Sequence, residues 1–568
     1  MIETQPNEGA PRALERLRVL AGVAVLAFFA TNLAACGAGD DDSAVPAGGE
    51  KSASGGASGT GQTGVGGTTA LASGGSFENG TGGSSGSSTA GSTGAAPPPP
   101  PEKELESAYE TPVATDHYVW TANPTTGNVA LISADDFSVR LAQAGDAPTT
   151  VAALPGHDED DAIVLNAGSN DATILKLGSD GVINSQTLTT HSGANAVVVS
   201  PSGKWALIWS NAALEDASTL DPTDGLQDVT VVKLDDQPPT TTILTVGYRP
   251  SAVSFDDKEE HAFFVTAPGL TVVDLGDAPQ PDRDVQLTDD PVADQTARDV
   301  SVTPDGAYAV VRLDGQKTLG IVDLGSGVRQ AVTLPDYVTD MDLSADGKQA
   351  FAVAGGALVV VPVPPGDADP STFATASAAG EVGRSVTLSP DASLALLYSN
   401  ATPDQYVGIL TGGGDWTTYE GHAVDLKAPV QAVFAAPDAQ HGIALQTTAT
   451  GSSKEGAFSV VSAQVDRAPK IVGTDAPPNA LAFSPDGAQA VITTRDLTKQ
   501  LYGVYLVELA SLEQTFISLS SPPLSAGIVG HYGFVAQAHP EGRITFIDLA
   551  DASERTLTGF ELAAKVTQ

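Results

Sequence analysis

An all-β fold of repeated four-stranded units is what this sequence predicts, and three observations predict it. The first is a hairpin, Val300-Ser301-Val302-Thr303-Pro304-Asp305-Gly306-Ala307-Tyr308-Ala309-Val310-Val311, in which two alternating stretches flank a Pro-Asp-Gly corner. Pro presets φ for the turn, Asp bonds its own backbone and Gly accepts a positive φ. The second is recurrence. Equivalent corners stand at Ser200-Pro201-Ser202-Gly203, Ser344-Ala345-Asp346-Gly347, Ser389-Pro390-Asp391-Ala392, Ala436-Pro437-Asp438-Ala439 and Ser484-Pro485-Asp486-Gly487, with weaker copies at Ser254-Phe255-Asp256-Asp257 and near Leu154-Pro155-Gly156. Their spacing of roughly 41 to 54 residues is the length of four short strands with turns, and lies in the range of propeller blades. The third is a hydrophobic period of two nearly everywhere beyond the N-terminal region, with no long helical pattern.

Taken in order, the chain begins with Arg12, Arg16 and Arg18 before the apolar run Val19 to Ala30. These read as the n- and h-regions of a secretory signal, and the run is shorter than the roughly 20 apolar residues a bilayer span needs. Leu33-Ala34-Ala35-Cys36-Gly37 then resembles the bacterial lipobox. The resemblance implies that Cys36, the only cysteine, is the lipid attachment site, with enough acyl chain to anchor a soluble domain stably. By resemblance to the enterobacterial sorting rule, Gly37 rather than Asp after the cysteine favours the outer membrane. Residues 1–36 are therefore read as a lipoprotein signal.

Residues 37–110 are read as a disordered tether. From Gly37 to about Pro101 they are mostly Gly, Ser, Thr and Ala with Asp40-Asp41-Asp42, ending in Pro97 to Pro101, so nothing there can bury a core. About sixty such residues reach on the order of 40 Å. Gly82-Gly83-Ser84-Ser85-Gly86 matches the G-x-S-x-G nucleophile pattern, but it has neither the preceding strand nor the following helix that the chemistry requires, so composition explains it.

Residues 111–568 carry the repeats. One unit reads as strand A from Asp299 to Thr303, strand B from Tyr308 to Leu313, strand C from Thr318 to Leu324 and strand D from Arg329 to Leu334. Strand C often ends in a hydrophobic-charged-Leu signature, as in Val273-Asp274-Leu275, Val322-Asp323-Leu324, Val507-Glu508-Leu509 and Ile547-Asp548-Leu549. A single blade cannot bury both its faces, so consecutive blades must stack and close into a β-propeller. Tyr118-Val119-Trp120-Thr121-Ala122-Asn123 with Gly127-Asn128-Val129-Ala130-Leu131-Ile132 resembles the Tyr-Val-Thr-Asn repeat of lactonase-type β-propellers, and the Ser-Pro-Asp-Gly hairpins are similar to those of TolB-type propellers. The Gly-His and Trp-Asp marks of WD40 repeats are missing. This resemblance implies fold and leaves function open. About ten units can be counted, with a ring of seven or eight blades plus insertions as the alternative. The first unit lacks a strand A, which Leu562 to Thr567 would supply to close the ring.

Composition narrows the partners. Asp and Glu number 69 against 27 Lys and Arg, a net charge of −42, so the chain would repel nucleic acid and anionic lipid and attract cations. There is no H-E-x-x-H, C-x-x-C or haem-binding C-x-x-C-H, and the eight histidines are scattered, so no cofactor is expected. His157-Asp158-Glu159-Asp160-Asp161 and Asp221-Pro222-Thr223-Asp224-Gly225 offer oxygens for Ca²⁺ without EF-hand spacing, and solvated acidic loops explain them better. Trp205 and Trp209 alternate along a strand B as packing residues. The A–B corners are tight, whereas long connections at Ser210 to Gln227, Thr288 to Arg298, Gln446 to Gly456 and Arg495 to Gln500 fall on the B–C/D–A face. A protein or small-molecule ligand is expected there. No catalytic or metal residue stands out, so a binding platform is the first reading and a lactonase-like hydrolase acting at the central channel the alternative.

Overall fold

In the computed structural model the described residues are 113–559, apart from 125, 157–159, 180, 212–225, 291–297, 379–382, 402, 415 and 540. The signal, Cys36 and the tether lie outside them. The described residues form ten antiparallel sheets, the first of three strands and the other nine of four, each in chain order A-B-C-D. This is a ten-bladed propeller, so the larger of the two blade counts is the right one. The one helical element among them is a 3₁₀ turn at Pro370–Thr372, and no helix among them is long and apolar enough to cross a membrane.

The unit read from sequence is blade 5. Its strands are Arg298–Val302, Tyr308–Leu313, Thr318–Asp323 and Arg329–Thr333, paired with Val300 opposite Val311, Val311 opposite Gly320 and Gly320 opposite Ala331. The first strands of successive blades lie beside one another, whereas fourth strands such as Gln280–Val285 are largely exposed, so strand A lines the axis and strand D the rim. Strand B departs from the expected period of two. Trp205–Trp209 and Leu394–Tyr398 are buried at every position, because each blade is covered on both faces by its neighbours, as in a parallel sheet between helices.

Burial is therefore arranged in layers between blades. Trp205, Leu207 and Trp209 of blade 3 pack with Ala262, Phe264 and Val273 of blade 4. The layer that closes the ring joins Val119, Ala130 and Ile132 of blade 1 to Val529, Phe534 and Phe546 of blade 10. The expected closing strand, residues 562–567, lies outside the described residues. At Tyr118–Trp120 the edge it would fill is taken by the chain just ahead of blade 1: Trp120 N–H donates to Val113 O at 3.1 Å and Thr115 N–H to Tyr118 O at 2.9 Å.

The strand C signature has a mechanical cause. Leu275, Leu324 and Leu509 are almost fully buried, and each donates its N–H to the residue just before strand B of its blade, as Leu324 does to Ala307 O at 2.9 Å. The charged residue before it turns outward and closes the C–D corner, as Asp323 does by accepting from Ser326 N–H at 2.8 Å.

The A–B corners share a network. Thr303 Oγ1 donates to Asp305 Oδ1 at 2.7 Å while accepting from Tyr308 N–H at 3.0 Å. Ser344 with Asp346, Ser389 with Asp391 and Ser484 with Asp486 repeat it at 2.7 to 2.8 Å. The aspartates thus serve the turn. At Ser200-Pro201-Ser202-Gly203 the Asp is missing, and Glu259 of the next blade replaces it. Its carboxylate, 7% exposed, accepts from Ser200 Oγ at 2.9 Å, from Ser202 N–H at 2.6 Å and from the Ser202 hydroxyl. Glu259→Ala is expected to cost about 2–3 kcal/mol by leaving those donors unpaired, and Glu259→Gln less. Urea unfolding measures both, and a loss below about 0.5 kcal/mol for the alanine variant would show that Glu259 does not tie the two blades.

Candidate functional site

Several side chains in the stretches weighed for ligand binding make structural contacts where they are described. Residues 157–159 and 212–225, and with them most of both acidic stretches and the segment Leu214 to Thr223, lie outside the described residues, as do 291–297. Asp160 accepts from His117 N–H at 3.0 Å and sits 3.2 Å from its Nδ1, a bond that holds the imidazole pKa above its usual value. Asp161 is buried and accepts from Leu177 N–H at 3.0 Å. No group of three His, Cys, Asp or Glu among the described residues is placed to hold a metal ion. In the connection that starts at Gln446, that side chain is buried and clamps Leu426 O and Ala428 O at 3.1 and 2.9 Å.

His191, on the D–A connection into blade 3, superficially offers a nucleophile beside a base. Its Nε2 is 3.3 Å from Ser210 Oγ and its Nδ1 2.9 Å from Thr230 Oγ1. Ser210 Oγ, however, donates to Gly193 O at 2.8 Å, so its proton is committed and the neighbouring Nε2 is the donor between them. Thr230 Oγ1 then donates to Nδ1 while accepting from His191 N–H at 3.0 Å. Burial lowers the pKa of this imidazole and keeps it neutral. The trio is a closed hydrogen-bond node, without a free base.

A buried cluster of ionisable side chains lies at the axial ends of blades 5 and 6, on the expected B–C/D–A face. Asp299 is the second residue of strand A in blade 5, Arg312 the penultimate residue of strand B, and Asp314 follows in the B–C turn. Asp340 lies near the start of strand A of blade 6, Val338–Leu343. Arg312 Nη1 meets Asp314 Oδ1 at 2.6 Å, and its Nε stands 3.7 Å from Asp299 Oδ2. Asp340, 6% exposed, accepts from Met341 N–H with Oδ1 and from Val386 N–H of blade 7 with Oδ2, both at 2.8 Å.

The electrostatics follow from this geometry. Burial, joined by the charge of Asp299, pushes the Asp340 carboxyl up to about 8 against the pull of the two N–H groups and Arg312. Burial raises Asp299 as well, opposed first by Arg312. For Arg312, burial works against the charge, but Asp299, Asp314 and Asp340 outweigh it and raise its pKa. Burial thus raises two carboxyls on either side of one guanidinium that opposes the shift at both, and strongly perturbed groups of this kind are found at functional sites more often than elsewhere.

Sequence reading missed these residues, although a signal was present. Five A strands carry a one-residue register shift after their first residue, and the residue past the shift is Thr150, Ala432, Ala480 or Ser525 in four of them and Asp340 in the fifth. A carboxylate stands where the other units place a small side chain. The bulged Thr339 beside it donates to Arg384 O at 2.5 Å. Bulges of this kind re-aim side chains at sheet rims.

A concavity of about 260 Å³ lies on the opposite face, between the A–B corners of blades 4 and 5, lined by Asp256, Lys258, Glu260, His261, Arg283 and Asp305 among others. Two of its carboxylates are engaged: Asp256 holds His261 Nδ1 at 2.8 Å, and Asp305 serves its own turn.

No family model matches the chain, and no curated protein matches it. Among solved structures it is similar to the hydrazine synthase of Kuenenia stuttgartiensis, at 13% identity and a TM-score of 0.33 over 54% of this chain and 95% of the other. It is also similar to the dihydro-haem d1 dehydrogenase NirN in complex with DHE, at 12% and 0.41 over 73% and 76%, and to a eukaryotic initiation factor, at 12% and 0.44 over 69% and 96%. At this identity and superposition the likenesses carry no argument about the site, and the assignment of a ten-bladed β-propeller rests on the sheets themselves.

Proposed function

We propose that this chain is a bacterial cell-envelope lipoprotein, anchored through Cys36 and held on a flexible tether, whose propeller is a binding platform that meets its ligand or partner on the B–C/D–A face. The lipobox-like Leu33-Ala34-Ala35-Cys36 after an arginine-led apolar run supports the address, and Gly37 the outer membrane. The observation that carries the binding face is the Asp299–Arg312–Asp340 cluster, a buried grouping of ionisable side chains at the axial ends of blades 5 and 6. Labelled palmitate should enter the wild-type chain and be lost from Cys36→Ala; label that persists in the variant would overturn the anchor. Replacing Leu214 to Thr223 by a short Gly-Ser loop should reduce recovery of the partner crosslinked in intact envelopes by about tenfold, or about 1.4 kcal/mol, with folding unchanged. Undiminished recovery would count against that face.

The two raised carboxyls favour one second reading, a hydrolase of lactonase-like type in which Asp340 gives a proton and Asp299 takes one from water. It predicts lactone hydrolysis by the wild type that falls at least about a hundredfold in both Asp299→Asn and Asp340→Asn, and a wild type without hydrolysis removes it.

A further inference from the structure

We propose that the rim of blade 3 is a self-association surface, where strand D of one copy, Thr240–Thr245, pairs antiparallel with the same strand of a second copy about a two-fold axis. This strand is the outermost of its sheet, bonded to strand C on its inner side only. Val246 N–H donates inward to Gln227 O at 2.8 Å, so by alternation Leu244 and Thr242 also face strand C, and the N–H and C=O groups of Thr241, Ile243 and Thr245 point away from the blade. Among the described residues no hydrogen bond reaches those backbone groups.

Exposed edges usually carry a charge, a proline or a bulge that blocks pairing, or are kept very short, and most fourth strands here do so. Arg140, Arg329, Glu420, Lys470 and Glu554 stand in those of blades 1, 5, 7, 8 and 10, Pro281 and a register shift in that of blade 4, and the strand of blade 6 is only Ala374–Ala376. Blade 3 has none of these devices. Uncharged edges also occur at Ile183–Thr189 and Gln514–Ser518, but only Thr240–Thr245 is β-branched at all positions except Leu244, the composition that favours strand pairing. Its ends select a second copy as the occupant. Asp235 before the strand and Arg249 beyond it are exposed, and neither side chain is paired among the described residues. Each lies seven positions from Thr242, so a two-fold axis at Thr242 brings the acidic end of one copy to the basic end of the other, and sets Thr241 opposite Ile243 on both sides of the axis. A basic partner would match Asp235 and leave Arg249 unmatched. Ile243 and Tyr248, 53% and 39% exposed, add apolar surface beside the ladder. The net charge of −42 opposes approach from a distance, but physiological salt screens it beyond about 8 Å.

The test uses the full-length Cys36→Ala chain, which lacks the lipobox cysteine and with it the only thiol. Sedimentation equilibrium from about 1 to about 200 µM should show monomer and dimer with a Kd of about 50 µM. Ile243→Lys, which sets a charge at the centre of the edge, should weaken association about tenfold or more with unchanged circular dichroism. Thr242→Cys in the same chain places a thiol on the axis, where the facing Cα atoms of a non-hydrogen-bonded pair stand about 4.5 Å apart, within disulfide reach. Mild oxidation should link two copies of that variant and leave Thr515→Cys, on the uncharged edge of blade 9, unlinked. A chain that stays monomeric at the highest concentration overturns the proposal and leaves the edge to an extended segment of another protein. Undiminished association of Ile243→Lys overturns it as well, by placing the contact elsewhere. Equal crosslinking at the two edges would report collision alone, and overturns it too.

Discussion

Asp340→Asn is expected to be slightly less stable than the wild type at pH 4 and clearly more stable at pH 9. The folded carboxyl titrates near 8, whereas in an unfolded chain it titrates near the usual aspartate value of about 4. Between those values the folded state holds a proton that the unfolded state has lost, so stability falls as pH rises through this window and levels off above it. The full effect is on the order of several kcal/mol, because each pKa unit corresponds to about 1.4 kcal/mol. Asparagine removes the titration. It also gives up one of the two acceptor oxygens that serve Met341 and Val386, at about 1 kcal/mol. Thermal unfolding at the two pH values should therefore show the sign of the difference reverse, with a gain of at least about 5 °C at pH 9. Parallel pH profiles for the two proteins would show that burial of Asp340 does not govern its titration.

How legible this molecule was in its sequence varied with the kind of information. The corners were readable because Pro, Asp and Gly act through their own backbone, and the Asp305, Asp346, Asp391 and Asp486 networks repeat within six residues. Strand ends of blade 5 came within one residue, since the period-two pattern and the Val-Asp-Leu signature fix register locally. Glu259 was not readable. It looks like an ordinary charged turn residue, and its role depends on Ser200 and Ser202 being 57 to 59 positions away yet adjacent in space. The Asp299–Arg312–Asp340 cluster had the same obstacle: three strands of two blades contribute its members, and only alignment of the units on their bulges shows Asp340 where alanine or a small hydroxyl residue stands elsewhere. Ring closure stayed ambiguous because Phe137, Tyr532 and Phe546 meet across the whole length of the propeller.

That closing layer supports the other large expectation. Phe546→Ala should destabilise the ring by about 3–5 kcal/mol, the usual cost of deleting a fully buried aromatic ring, and should do so locally. Phe546 is fully buried, with Phe137 edge-on at 5.3 Å, Tyr532 at 6.2 Å and Phe534 at 6.4 Å, while Arg555 stacks over the Phe137 ring at 4.3 Å. Phe351→Ala deletes a comparable contact between blades 6 and 7, where Trp416 lies edge-on at 5.5 Å. There, however, the polypeptide joins the two blades directly, so they remain neighbours when packing weakens. Blades 1 and 10 have no such connection among the described residues, where side-chain contacts oppose their separation. Stability in stacked repeats is close to a sum of nearest-neighbour interfaces, so opening this interface releases two blades, each covered on one face only. Hydrogen exchange should accordingly lose protection first in Tyr118–Asn123 and Tyr532–Gln537 of Phe546→Ala, with blades 5 and 6 unchanged, while Phe351→Ala loses it around its own interface. Uniform loss of protection across all ten blades in Phe546→Ala would mean instead that the propeller opens as one cooperative unit and that the closing layer holds no special place in it.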